Sequence, residues 1–523
     1  MKLIGGDRTE SVWLYAAAGV LMFAGSVWRE LYVNQYPLGS EVFLWIAVSA
    51  VIGGAAAICT WRIGGLIGTI GFGVLLFLFT DFQLDLKPTF STVFLPAGCL
   101  VFAFLFATHR AALVTVSLAA FFLSSLIRPA GSALASTTTR VDSVESSGLP
   151  PIVHIVLDEQ WGIGGLRAVG DTSTANFLTN FYLTRGFEVH EAAYSRYMWT
   201  NASIPHMLSL GEAPSLFDDP RRDGIDFTVR LRRNPYFEEL RRLGYGIRVY
   251  QNTYLDLCSD SAQTVAACHT VSGNSIANIG NLEGSLRMRA LLGARFFIGT
   301  RSDVIQRLIR QPNKWNRAVT GGAILSLNRL TNDIISNQGE GHAYFVHALL
   351  PHRPVQVDAE CRIVDDPREI FSYELPALPK DSAWRAVLRS YARQVRCTHK
   401  VLAEVLDAID RTAGRDHSIV IVHGDHGSRI STRGPPGKSR ESDRLDLLNS
   451  NFSTLLAVRR PGVPAAMHTE PVPVQDFIRE LTRGKFTGPV SATWNHELRD
   501  RNDRSARNLP LTPAMMLWAR QPD

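Results

Sequence analysis

Residues 419–429 read IVIVHGDHGSR, an apolar, β-branched run that breaks off into Asp425, His426 and Gly427. A run of this length and composition reads as a strand buried on both faces. The triplet after it has two readings. One is a plain turn, because Asp and Gly are common loop residues. The other is a pair of working side chains at a strand end, where loops of an open α/β sheet converge on one crevice and reactive groups collect.

Working outward, similar runs recur between longer helical patterns: IVHIVLD at 152, GIRVYQN at 246, HAYFVHALL at 342 and STLLAVRRPG at 453. Apolar runs bracketed by helices describe a central sheet covered on both faces, so the class is α/β. Over 382–411 the apolar residues Trp384, Val387, Tyr391, Val395, Val401, Leu402, Val405 and Ile409 recur at helical spacing and predict a long amphipathic helix. This domain runs from 150 to 523. Ahead of it, 131–149 is rich in Ser and Thr without an apolar period and reads as a linker. No internal repeat is visible.

The 523-residue chain is 46% hydrophobic with a mean hydropathy of +0.02, too apolar for an ordinary soluble enzyme. The excess lies within 1–130. Five uncharged stretches, 11–28, 42–60, 63–80, 91–108 and 111–127, are each long enough to cross a hydrocarbon core of about 30 Å as a helix. The leader MKLIGGDRTE carries Asp7 and Glu10 and four more stretches follow, so the first reads as a retained anchor in a five-helix transmembrane domain. Lys2, Arg8, Arg62 and Arg110 fall on one side, with Arg29, Lys87 and Arg128 on the other. That balance favours an internal N-terminus and a C-terminal domain outside, on a multi-pass protein of the cytoplasmic (inner) membrane.

Four cysteines, Cys258, Cys268, Cys361 and Cys397, fall in the outer domain. Bridges 258–268 and 361–397 suit an oxidising compartment, and unpaired buried thiols are the alternative. Between 287 and 317 eight Arg or Lys stand against the single acid Asp303. That stretch reads either as a basic segment lying on anionic headgroups or as a solvated helix face over the sheet. The pI near 9.0 invites a nucleic-acid reading, but an outward-facing domain rarely meets nucleic acid.

Three strand ends carry metal-ligand types. The first ends in Asp158 and Glu159, the third in VHALLPHRP with His347 and His352, the fourth in Asp425 and His426. Carboxylates with imidazoles suit Zn²⁺ or Mn²⁺, with Ca²⁺ as the remaining candidate. In YMWTNASIPHMLSLG, Thr200 and Ser203 enter a short helix whose N-terminal amides favour an anionic phosphate or sulfate ester. As ordinary helix caps they need no such role. A hydroxyl is a poor nucleophile at neutral pH, and a divalent metal activates it.

The order of these motifs is more informative than any one of them. A strand ending in acid, T-x-x-S-x-P-x-M, H-x-x-x-x-H-x-P and a strand ending in D-H-G resembles the sulfatase-like branch of the alkaline phosphatase superfamily over about 150–465. N-terminal spans joined to an outward domain further resemble the phosphoethanolamine transferases and the phosphoglycerol transferases that build lipoteichoic acid. The resemblance implies that Asp158, with Glu159 as a second candidate, Asp425 and His426 bind metal and that Thr200 is the nucleophile. It further implies that His352 touches the substrate oxyanion or leaving group, and that Lys438 follows D-H-G as a substrate lysine. His347 and Ser203 complete the substrate-binding candidates. Three departures stand out. Met207 replaces the arginine of S-x-P-x-R, which leaves Thr200 rather than a modified Ser203 as nucleophile. Ser428 stands where a glutamate is frequent, and Asp158-Glu159 lies between the two-acid and single-acid forms.

The reading is a membrane-anchored, metal-dependent transferase that takes a phosphoryl headgroup from a phospholipid donor to an envelope acceptor through a phospho-threonine. A sulfate or phosphate ester hydrolase would use the same site. A catalytically silent envelope binding protein is the reading from another class. The acceptor and the oligomeric state are not legible in the sequence.

Overall fold

The computed structural model describes residues 11–34, 36–84, 95–106, 109–127, 136–139, 148–211, 229–258, 264–271, 276–300, 319–337, 341–366, 381–430, 449–488, 490, 494, 497–498 and 509–510. The chain divides into two compact units, Met1–Leu134 with Asn274–Ala318, and Ala135–Gly273 with Val319–Asp523.

In the first unit, apolar helices cover 12–33, Ser40–Ile63, Gly65–Leu84, Leu95–Leu105 and Arg110–Ile127. Two, Val12–Tyr32 and Ser40–Ile63, are long and apolar enough to cross a membrane. They cross at Gly19 and Gly53, where a Cβ on Gly19 would stand 2.1 Å from the Gly53 carbonyl oxygen. Glycine at both positions is what lets the two backbones touch. The described part of the basic stretch is the helix Leu286–Thr300, and it belongs to this unit. Trp45 Nε1 donates to the Ala290 carbonyl at 2.9 Å, and Arg289 pairs with the buried Glu41 at 2.6 Å. Residues 301–317 lie outside the described residues.

The second unit is built on a nine-stranded sheet of β1 (Ser136–Thr139), β2 (Ile152–Leu157), β3 (Glu188–His190), β4 (Gly246–Asn252), β5 (Val265–Val271), β6 (His342–Ala348), β7 (Ile419–Gly424), β8 (Leu456–Arg459) and β9 (Ala466–His468). The order across the sheet is β1-β5-β4-β6-β2-β7-β8-β3-β9. From β5 to β7 all neighbours run parallel, whereas β1, β8 and β3 join antiparallel to their inner neighbours. The central strands are the uninterrupted apolar runs of the sequence, as burial on both faces requires. β3, β5 and β9 carry no such run. The Ser/Thr-rich linker supplies β1, because consecutive threonines suit extended backbone without any apolar period.

One face of the sheet packs Ile152, Val156, Phe345, Ile419 and Ile421 against Tyr236, Phe237, Phe477, Ile478 and Leu481. On the other, the Val319–Ser336 helix lies on β4, β5 and β6 and packs on the long Asp381–Thr412 helix. Disulfides join Cys258 to Cys268 and Cys361 to Cys397, the pairs the spacing suggested.

Inside the long helix, His399 is fully enclosed. Its Nδ1 donates to the Val395 carbonyl at 2.8 Å, and its Nε2 accepts from the Tyr182 hydroxyl at 3.0 Å. Burial pushes this imidazole down to about 4. The unfolded chain therefore takes up a proton near pH 6.5 that the folded chain refuses until about 4, and stability falls with pH across that window. Thermal unfolding of the detergent-solubilised chain should lose about 1.4 kcal/mol per pH unit less in His399→Gln than in the wild type; equal slopes would mean that His399 titrates normally.

Candidate active site

β2 and β7 pair in parallel with Leu157 opposite Gly424, and Leu157 also faces Ala348 of β6. Neighbouring strands lie about 4.8 Å apart. Two strands that end level therefore deliver their next residues, Asp158 and Asp425, side by side. Glycine brackets the second of these because the chain at 450–454 presses on it. A Cβ on Gly427 would stand 2.2 Å from the Ser450 carbonyl oxygen, and one on Gly424 would stand 2.2 Å from Thr454 Oγ1. "GDHG" is thus a turn, and the turn aims two side chains.

Asp425 Oδ1 accepts from the backbone amides of Glu159 at 3.1 Å and His426 at 2.8 Å. Its Oδ2 is buried and, among the described residues, accepts no hydrogen bond, and the same holds for Asp158 Oδ1. His426 gives its Nδ1 proton to the Gly427 carbonyl at 2.8 Å, so the lone pair on Nε2 faces Asp425 Oδ2 at 3.3 Å and Asp158 Oδ1 at 3.8 Å. A lone pair and two carboxylates converging in a dry site repel one another unless a cation lies between them. Burial and the Asp158 charge both push the Asp425 carboxyl up. For Asp158 burial acts the same way, but His352 and the hydrogen bond from His347 outweigh it and hold the carboxyl low.

Thr200 opens the Thr200–Leu208 helix. Its hydroxyl lies 3.3 Å from Asp158 Oδ2 and 3.2 Å from His426 Nε2, inside the same cluster. Two carboxylates, an imidazole nitrogen and a hydroxyl make a four-donor set of the kind divalent metals take. Ligand atoms of Asp158, Asp425 and His426 lie within 4.8 Å of one another, so these residues fit a divalent metal with Thr200 beside it.

The remaining candidates are placed as follows. His347 Nε2 meets Asp158 Oδ2 at 3.2 Å. The Tyr254 amide donates to Asn252 Oδ1 at 2.8 Å, which turns Asn252 Nδ2 onto His347 Nδ1 at 3.2 Å. Nδ1 therefore accepts, Nε2 carries the proton, and the imidazole holds Asp158 in place. Ser203 is engaged below the turn, with its hydroxyl on the Asp425 carbonyl at 2.5 Å and Gln475 Nε2 donating to it at 2.9 Å. Glu159 points away from the cluster, with Arg429 Nε at 2.8 Å from its Oε1 and the Arg353 amide at 3.1 Å from its Oε2. His352 stands nearby, Nε2 at 3.7 Å from Glu159 Oε1, and its Nδ1 contacts the Arg353 carbonyl. Lys438 lies outside the described residues.

Sequence reading passed over Arg353 and Arg429, although each sits beside a recognised motif, and Asn252, which no pattern marks. It also missed what the long helix does. Tyr391 donates its hydroxyl to the Glu159 carbonyl at 2.7 Å and accepts from the Trp161 amide at 2.8 Å. Gln394 Nε2 donates to the carbonyls of Pro351 at 3.0 Å and His352 at 2.9 Å. One stripe of that helix thus fixes both loops at the mouth.

The sulfatase family model matches residues 310–482, the stretch that carries His347, His352, Asp425 and His426. This part of the chain therefore matches the sulfatase family, whose members are enzymes. Similar solved structures include Ps i-CgsB, at 13% identity and TM-score 0.41 over 66% of this chain and 73% of that one. The phosphonate monoester hydrolase SpPMH from Silicibacter pomeroyi is similar at 15% identity and TM-score 0.40 over 66% and 78%. The C-terminal periplasmic domain of EcEptC from Escherichia coli, in complex with Zn, is similar at 11% identity and TM-score 0.37 over 66% and 83%. No curated protein matches the sequence.

Elemental mass spectrometry should find a divalent metal in the wild-type chain at close to stoichiometric level and none in Asp425→Asn. Asn252→Ala, which frees the His347 ring, should weaken metal affinity about 10- to 100-fold in a chelator competition. Metal retained by Asp425→Asn would remove this site from consideration.

Proposed function

We propose that the chain is a membrane-anchored transferase that carries the phosphoryl headgroup of a phospholipid, phosphoethanolamine or phosphoglycerol, to a hydroxyl of an envelope acceptor. The observation that carries the reading is the Thr200 hydroxyl, set at a helix N-terminus and within 3.3 Å of both Asp158 and His426. Asp158, Asp425 and His426 would hold the metal, zinc or manganese before calcium. When bound, it supplies positive charge that lowers the hydroxyl pKa and offsets charge on the phosphoryl oxygens.

The chain's own residues divide the rest of the work. Thr200 Oγ1 gives up its proton along its hydrogen bond to Asp158 Oδ2 and attacks phosphorus; the bond from phosphorus to the glyceride oxygen breaks. His352, whose Nδ1 is turned to the Arg353 carbonyl, exchanges its proton at Nε2 and delivers it to that oxygen, so that diacylglycerol leaves neutral. In the second half the acceptor hydroxyl loses its proton to His352 Nε2 and attacks the phospho-threonine. The Oγ1–phosphorus bond breaks and Oγ1 takes back from Asp158 Oδ2 the proton it gave up, which restores the Thr200 hydroxyl and the carboxylate. The amides at the start of the Thr200–Leu208 helix favour the anionic group throughout.

The N-terminal helices support a lipid donor. In this reading all five cross the cytoplasmic membrane and leave the catalytic unit outside, where an anchored site meets lipid headgroups at raised effective concentration. Two disulfides suit that oxidising side.

The test supplies labelled phospholipid to the purified chain and follows diacylglycerol and the headgroup separately. The wild type should release diacylglycerol and hold the headgroup on protein or acceptor, and Thr200→Ala should lose at least about 10³-fold in rate with the fold intact. Release of free phosphate or sulfate with no labelled acceptor would make the chain a hydrolase. Full turnover in Thr200→Ala with loss in Ser203→Ala would move the nucleophile.

A further inference from the structure

Glu159, Arg353 and Arg429 form a charged cluster that the transfer chemistry leaves unused. The carboxylate is sealed, with 1% of its side chain exposed, while Arg353, Arg429 and His352 keep 15, 16 and 17% and reach the mouth. Arg429 meets Glu159 Oε1 through Nε at 2.8 Å and also through Nη2. Arg353 meets Oε2 through its amide at 3.1 Å and through Nε at 3.4 Å.

Both ends of the Arg429–Glu159 pair sit in left-handed backbone, Glu159 at φ 61° and Arg429 at φ 56°. That region is costly for side chains of this size and persists only where the surroundings impose it. For Glu159 the imposing contact is Tyr391 on its carbonyl. The cluster also touches the reacting centre from two directions. Glu159 follows Asp158 and donates its amide to Asp425 Oδ1. The Arg429 guanidinium lies over the Trp199 ring, 5.0 Å from its centroid, and Trp199 precedes Thr200.

We propose that Glu159 sets the charge of the anion site: it offsets part of what Arg353 and Arg429 bring to it, so that a doubly charged ester gains less over a singly charged one than the two arginines alone would give it. The inference deepens the transferase reading and rests on it for where the reacting group sits. Phosphodiesters, as in a lipid headgroup, and sulfate monoesters carry one charge. Phosphate monoesters near neutral pH carry two. Coulomb energy scales with the ligand's charge, so a fixed carboxylate among the arginines penalises a dianion twice as much as a monoanion at the same place. A simple structural ion pair would seal Glu159 equally well but would leave this selectivity untouched.

The test uses the full, detergent-solubilised, zinc-loaded chain and the isosteric variant Glu159→Gln, which keeps an oxygen for the Arg353 amide. Calorimetry measures affinity for two unreactive anions, dimethyl phosphate with one charge and inorganic sulfate with two. The variant should keep its zinc and shift the ratio toward sulfate by at least about tenfold. Arg353→Gln removes a positive charge from the same cluster, should shift the ratio the other way, and carries the test if Glu159→Gln does not fold. Equilibrium binding forms no bond to Thr200, so the result stands apart from whether transfer proceeds through that hydroxyl. Turnover of bis(4-nitrophenyl) phosphate, 4-nitrophenyl sulfate and 4-nitrophenyl phosphate then separates the sources. The third should gain on the first two in Glu159→Gln relative to the wild type, and which of the first two is faster in the wild type marks a phosphodiester or a sulfate ester as the natural class. Unchanged anion ratios in both variants, loss of zinc in Glu159→Gln, or no binding of either anion by the wild type would overturn the inference.

Discussion

Two aspartates that end adjacent parallel strands at the same level are the constraint on which the rest of this site depends. The pairing of β2 with β7 leaves no freedom in the matter, because Leu157 faces Gly424 and the next residue on each strand is Asp158 or Asp425. Like charges brought together in a dry crevice raise each other's energy, and an imidazole lone pair aimed at both raises it further. Among the described residues, one oxygen of each carboxylate accepts no hydrogen bond, so this repulsion is not fully relieved there. The free energy withheld there is what a divalent cation can recover on binding.

The supporting contacts are consistent with that constraint. Among the described residues, several neighbours of the cluster are turned to other tasks. Ser203 ties the Asp425 carbonyl from below, His347 holds the outer oxygen of Asp158, and Glu159 is drawn away by two arginines. Thr200 alone brings a hydroxyl inside, because the helix that begins with it starts beside the strand ends. Fixed donors and a site sealed from water make the electrostatic terms large and specific to one geometry.

Much of this was legible before any coordinates. The runs at 152, 246, 342 and 419 are short, rich in β-branched and aromatic residues and bracketed by helical patterns, which suits strands buried on both faces, and the residues that follow them had to gather at one edge of the sheet. Asp158, Asp425 and His426 were therefore readable, as was Thr200 at a helix start. β3 and β9 were not, since three residues at a sheet margin need no apolar pattern. Nor was the direction of Glu159. Sequence places it next to Asp158, but a single left-handed backbone angle decides which way its carboxylate points. Asn252 carries no signal at all, because its role depends on a carbonyl oxygen held by Tyr254 and on a histidine 95 positions away. The basic helix at Leu286–Thr300 was readable as basic and amphipathic, but its allegiance to the first unit depends on Trp45 and Glu41, far away in sequence.

The stripe of Tyr391, Gln394 and Cys397 on the long helix has a consequence for the loops it holds. These side chains hold the Glu159 turn, the Pro351–His352 loop and Cys361 from one rigid rod. The helix adds to bonds the loops already make with the strand ends, such as the Asp158 amide on the Ala348 carbonyl at 3.0 Å and the Glu159 amide on Asp425 Oδ1 at 3.1 Å. A substitution on that face of the helix would therefore disturb both loops at once, from positions more than thirty residues away in sequence.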